Sequence, residues 1–156
     1  MRTRALSDLY PQERGIITRV GGSGEIRRRL LDMGVVPGTE VEMERTAPLG
    51  DPVQIKIKGY DLAVRKSEAE KIQVDVQEGT LANTETGEKV TVVAVRAGWG
   101  LERRLNDMGL LPGTELKVIN AGQPGQVVVE VKGSRLALGH GVASKIFVRP
   151  RGSSDA

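Results

Sequence analysis

Arg29-Leu-Leu-Asp-Met-Gly-Val-Val-Pro-Gly-Thr-Glu-Val41 recurs 75 residues further on as Arg104-Leu-Asn-Asp-Met-Gly-Leu-Leu-Pro-Gly-Thr-Glu-Leu116. Nine of the thirteen positions are identical, and three of the four differences exchange one aliphatic side chain for another. Agreement of that length inside one chain marks a tandem repeat. The residues also say what the unit builds. Ile26, Leu30 and Met33 fall at helical spacing. Gly34 stands where a helix ends in a left-handed residue, a conformation glycine adopts at little cost. Pro37-Gly38 suits the two central positions of a type II turn. Thr39, Val41 and Met43 then alternate with Glu40, Glu42 and Glu44, the period of a half-buried strand. Asp32, Met33, Gly34, Pro37 and Gly38, and in the second copy Asp107, Met108, Gly109, Pro112 and Gly113, are therefore read as a structural motif.

A chain of 156 residues with a repeat near 75 is expected to form two small domains. Twenty glycines and seven prolines between short alternating runs point to many tight turns and mainly β structure. With no cysteine, disulfide staples, zinc knuckles and thiol chemistry drop out. The first residues lack the apolar core of a signal peptide, and no window is long and apolar enough for a membrane span. A cytoplasmic protein is expected. The net charge of +3 comes from 23 basic and 20 acidic residues that are interspersed, and aromatic content is 3%, so nucleic acid is not expected as a partner.

Taken in order, 1–13 is expected to be a partly ordered lead-in whose Leu6 and Leu9 can pack on the first domain. Ile16–Val20 reads as a strand, Ser23 as a helix cap, 39–45 as a strand, and Val53–Ile57 as the clearest alternation. Gly59-Tyr60-Asp61 turns the chain into Leu62–Arg65, and Ser67 with Glu70 has capping-box spacing. Asp75 to Gly87 is polar and aperiodic. The second copy follows, with a loop at Ala121–Gly125 and a polar tail from Arg149 expected to fray. Five short strands with a helix between the first two close into a small barrel in each half, which removes exposed edges. The expected boundaries are 1–75 and 88–150 for the barrels, 76–87 for a linker and 151–156 for a disordered tail.

These motifs, together with Gly21-Gly-Ser-Gly24, Ala47-Pro-Leu-Gly-Asp-Pro52 and Lys58-Gly-Tyr-Asp-Leu-Ala-Val-Arg65, resemble the FeoA family, ferrous iron transport protein A. The resemblance covers 6–74 and, with departures at Gly122–Gly125 and Gly139-His-Gly141, also 88–148. It implies two tandem SH3-like barrels, an accessory role beside the ferrous iron permease FeoB, and a transition metal, Fe2+ or another divalent ion, by family alone. Similar barrels end metal-dependent repressors, whose helix-turn-helix this chain lacks. The two barrels are expected to pack as an internal pseudo-dimer; light scattering that finds them tumbling independently would refute it.

No metal site is assigned. First-row metals want imidazole, thiolate or converging carboxylates, and His140 stands alone among glycines. Arg27-Arg28-Arg29 point in three directions on a helix and read as a solvated face. No nucleophile–base set or phosphate loop is present, so no catalytic residue is assigned and the protein is read as non-enzymatic. Trp99 is either a partner anchor or a staple at the helix entrance. Val35-Val36 and Leu110-Leu111 each place two adjacent apolar residues where one core can take one, which makes these four candidates for partner contact. The leading function is protein contact with FeoB in ferrous iron uptake. The rivals are a metal-responsive regulatory module, tested by calorimetry with divalent ions, and a barrel that binds nucleic acid, tested by salt-dependent RNA affinity.

Overall fold

A computed structural model describes residues 3–122 and 125–151. Two compact units divide the chain between Gln77 and Glu78. Each is a small SH3-like β-barrel.

The first unit holds β1 (Thr3–Ala5), β2 (Arg14–Val20), helix α1 (Gly24–Asp32), β3 (Glu40–Thr46), β4 (Val53–Ile57), β5 (Tyr60–Val64), helix α2 (Lys66–Ala69) and the start of β6 (Ile72–Thr80). Strands follow the order β6–β2–β3–β4–β5, and β1 adds to β6 through Thr3 opposite Asp75 and Ala5 opposite Gln73. The expected alternations hold. Val41, Met43, Val53, Ile55 and Ile57 point inward at 2% exposure or less, joined by Leu6, Ile17, Leu30 and Ile72. A bulge between Met43 and Arg45 bends β3 and lets it wrap the core. The β4–β5 turn is two residues, Lys58 and Gly59, both left-handed, with Ile57 opposite Tyr60. It thus lies one residue earlier than expected, in the geometry that matches strand twist.

The second unit repeats this plan with β7 (Lys89–Val95), helix α3 (Trp99–Asp107), β8 (Glu115–Asn120), β9 (Val127–Val131), β10 (Ser134–Leu138), helix α4 (His140–Ala143) and β11 (Ile146–Pro150). Its core uses the matching positions: Leu81, Leu105, Leu110, Leu116, Val118, Val129 and Ile146. The bulge also recurs, between Val118 and Asn120.

The repeat is longer than its sequence signature. Residues 76–87, expected as a linker, are strand as far as Thr80, then a buried 3-10 turn at Leu81–Asn83. The first unit has the same turn at Leu6–Asp8, and Leu6 and Leu81 are both fully buried. Gly79 and Thr80 pair with Val148 and Phe147, as β1 pairs with β6. The turns that follow also match. The Tyr10 N–H donates to the Glu13 carboxylate at 2.7 Å and the Glu85 N–H to that of Glu88 at 2.8 Å. Gln12 N–H reaches the Met43 carbonyl, and Gly87 N–H the Val118 carbonyl, both at 2.7 Å. The lead-in is therefore an ordered part of each unit, held by one buried leucine and one turn-closing glutamate.

Other boundaries shift for local reasons. Helix α2 starts at Lys66, where the N–H donates to Asp51 at 2.9 Å. Glu68, not Glu70, reaches back to the Arg65 N–H at 3.2 Å. Arg149 and Pro150 belong to β11, opposite Thr91 and Val90, so the chain does not fray there. Arg151 is tied to Glu115 at 3.3 Å. The expected tail at 152–156, and Gln123 and Pro124 of the loop, lie outside the described residues.

Candidate partner-contact surface

The repeated stretch folds as its residues suggest, with one consequence that matters for function. At the end of α1 the Val35 N–H bonds to the Leu30 carbonyl and the Gly34 N–H to that of Leu31, each at 3.0 Å, with Gly34 at φ 98°. That pair of bonds is a Schellman stop. The end of α3 repeats it: Leu110 N–H to the Leu105 carbonyl, Gly109 N–H to that of Asn106, again at 3.0 Å, with Gly109 at φ 97°. The motif brings the residue after the glycine back onto the last turn, so Val35 meets Leu30 and Leu110 meets Leu105 in the core. All four are at most 2% exposed. A Cβ at a left-handed position costs on the order of 1–2 kcal/mol. Gly34→Ala and Gly109→Ala are expected to lower the stability of their own barrel by about that much, measurable by urea unfolding.

The second glycine of each motif closes a type II turn. Thr39 N–H bonds to the Val36 carbonyl at 3.1 Å and Thr114 N–H to that of Leu111 at 3.0 Å, with Gly38 and Gly113 left-handed. Gly38 N–H and Gly113 N–H are in turn pinned to the Ile17 and Val92 carbonyls.

Of the four apolar candidates, Val35 and Leu110 are thus core residues and have no exposed surface for a partner. Val36 is half-buried, whereas Leu111 is 45% exposed. Met33, expected inward by its spacing, and its counterpart Met108 are helix C-caps at 38% and 41% exposure, because the Schellman return gives the core place to Val35 and Leu110. In the second unit Met108 and Leu111 therefore flank the Gly109 stop on the outside. Asp107 is exposed at the last residue of α3, and Asp32 at the last of α1. A carboxylate at a helix C-terminus faces the negative end of the helix dipole, so helix stability does not account for either.

Trp99 opens α3 and is 72% exposed, with the Arg103 guanidinium 5.4 Å from the ring. It staples nothing into the core. The first unit has Gly24 at the same place and a side-chain cap instead, the Ser23 hydroxyl accepting from the Ile26 N–H at 3.5 Å.

The arginine run divides as expected, although two members have internal tasks. Arg27 Nε donates to the Val20 carbonyl at 3.0 Å, and Arg29 pairs with the buried Glu68 of α2. The second unit has Val142 in place of Glu68 and a different pair, Arg96 with the buried Glu78 at 3.0 Å, the guanidinium lying over the Phe147 ring.

Donors for a metal do not converge. Among the described residues no three His, Asp or Glu side chains form a possible metal-holding group, and His140 is exposed at the start of α4. What the surface offers chemically is apolar area beside charge, suited to contact with another protein.

A family profile described as FeoA domain matches the chain twice, over residues 4–76 and 79–150. Over 71 residues the chain is 39% identical to the Fe(2+) transport protein A/Fe(2+) transporter FeoB fusion protein of Porphyromonas gingivalis, covering 46% of this chain and 8% of the fusion. Over 68 residues it is 46% identical to a Methanocaldococcus jannaschii protein whose name refers to Fe(2+) transport protein A, covering 44% of this chain and 82% of that one. The solution structure of iron(II) transport protein A from Clostridium thermocellum matches at 32% identity and a TM-score of 0.65, covering 98% of this chain and 93% of that chain.

Proposed function

Since the chain belongs to the FeoA domain family, we propose that it is a non-enzymatic accessory of ferrous iron uptake that docks on the iron permease FeoB through its second barrel. The observation that carries the reading is the fusion relative, in which a segment similar to this chain is joined to FeoB itself. Fusion holds two modules at high effective concentration, which favours function where they act in contact. Iron in this reading is cargo handled by the permease, and the barrels contribute a contact surface.

Both barrels expose large apolar side chains, Met33, Leu49 and Tyr60 in the first and Trp99, Met108 and Leu111 in the second, and the second is preferred for its tryptophan, which the first lacks. Aromatic anchors dominate interface energetics, and Asp107 beside Met108 fits a cation in the partner. The action is placed on the cytoplasmic side of the membrane. No helix among the described residues is long and apolar enough to cross it.

The test is capture of the permease's soluble cytosolic domain by the full chain. Wild-type protein is expected to retain it, and Trp99→Ala combined with Leu111→Asp to lose most of it. Truncating a buried hot spot costs about 2 kcal/mol or more, roughly thirtyfold in affinity. Both side chains are exposed, so the variant should melt like the wild type. Equal capture by wild type and variant would move the contact elsewhere, and no capture by either would remove the reading.

A further inference from the structure

The strand registers of the two barrels line up four charged residues across four strands, and the two rows differ in sign. In the first barrel Arg14, Glu42, Lys56 and Asp61 stand opposite one another in turn across β2, β3, β4 and β5. The order is plus, minus, plus, minus, so the row neutralises itself. In the second barrel the matching row is Lys89, Lys117, Glu130 and Arg135 across β7, β8, β9 and β10. Exchanging the signs at the middle two positions and the last puts Lys89 directly opposite Lys117. Like charges directly opposite destabilise an antiparallel pair, so the Lys89–Lys117 facing pair does nothing to hold β7 to β8.

Three members of the row, Lys89, Lys117 and Glu130, line an open cleft of about 740 Å³, together with Leu111, Pro112 and Lys132. The first barrel has a cleft at the same place of about 370 Å³. Glu115 in the larger cleft is already held by Arg151 at 3.3 Å, which leaves Glu130 as the cleft's one carboxylate without an ion pair among the described residues. Among the described residues no carboxylate lies within 4 Å of the ammonium of Lys89, Lys117 or Lys132.

We propose that this cleft binds an acidic, partly apolar peptide segment of a protein partner, with Lys89, Lys117 and Lys132 taking its carboxylates and Leu111–Pro112 its apolar side chains. Charge complementarity selects the occupant. A nucleic-acid backbone suits the cleft less, because Glu130 stands in the row and no aromatic side chain lines it to stack on a base. The inference deepens the reading of a protein-docking second barrel and rests on it, adding the chemistry of the partner segment. Leu111 belongs to both surfaces and joins the cleft to Met108.

The test uses the full chain and a short fluorescein-labelled peptide built of Glu-Leu-Asp-Pro units, read by anisotropy at roughly 50 and 300 mM salt, where screening lengths differ more than twofold. Wild type is expected to bind and to weaken at the higher salt. Lys89→Glu with Lys117→Glu is expected to weaken binding at least about tenfold. Lys56→Glu with Lys58→Glu, the same change of net charge on the first barrel, is expected to leave it within about twofold. Equal losses in the two variants would overturn the site, since net charge alone would then explain binding. A labelled single-stranded RNA binding more tightly than the peptide, and lost in the same variant, would overturn the peptide in favour of nucleic acid. Dimerisation of the chain abolished by the same reversal would assign the cleft to a second copy. Failure of the peptide with continued capture of the permease domain removes this inference alone; peptide binding without that capture removes the permease reading alone.

Discussion

Leu110→Asp is expected to unfold the second barrel, while Leu111→Asp, one position along, leaves its melting unchanged. The two leucines are adjacent in a run that looks uniformly apolar, yet the Schellman return puts Leu110 fully inside and leaves Leu111 45% exposed. A carboxylate at Leu110 would be buried without a partner, a cost far beyond the stability of a small domain. The milder Leu110→Ala keeps the fold measurable. It removes buried methyl groups from a site closed on all sides, which costs about 2–5 kcal/mol. For a domain of this size that corresponds to a fall in Tm of roughly 10–30 °C. Exposed substitutions stay within about 0.5 kcal/mol. Differential scanning calorimetry of the three variants separates the inward from the outward member of the pair. Similar melting for the positions 110 and 111 variants would mean the helix stop does not hold Leu110 in the core.

A comparable loss is expected in the first barrel from Gly15→Ala. Gly15 lies in β2 opposite Val41, where a methyl group would overlap the Asp75 carbonyl oxygen and approach Val74 Cγ1 to 2.7 Å. Backbone cannot yield as a flexible side chain does, so β2 and β6 must part locally. Overpacking of this kind costs about 1–3 kcal/mol, and more where strands must separate. The matching position of the second barrel holds Val90, fully buried, so the same place there accommodates a large side chain. Urea unfolding of Gly15→Ala should lower the midpoint of the first barrel alone; a single unchanged transition would contradict the close strand contact.

What could be read from residues alone follows from how local each cause is. The helix stop and the turn depend on glycines within a few positions of their partners, so the repeated stretch showed them directly. The strands 53–57 and 127–131 showed themselves by strict alternation. The lead-in of the second unit did not. Thr80–Glu88 shares with Ala5–Glu13 only a buried leucine and a glutamate seven positions later, and its burial comes from pairing with β11, almost 70 residues downstream. That distance is why 76–87 reads as a linker. Met33 turns outward and Val35 takes the core place, because helical spacing says nothing of a chain that doubles back after the glycine. The lysine row was present in the sequence as differences between the copies, Glu42 against Lys117 and Lys56 against Glu130. Its meaning needs the cross-strand register, which no spacing within one strand supplies.

The second barrel's outer surface is the proposed meeting point with the permease. The most direct measurement is a residue-resolved amide spectrum of the full chain titrated with the permease's soluble cytosolic domain. Shifts and broadening are expected at Trp99, Asp107, Met108 and Leu111 and along Lys89 and Lys117, with Leu30, Val35 and the first-barrel row unmoved. Perturbation confined to the first barrel, or a spectrum that does not change at saturating domain, would contradict it.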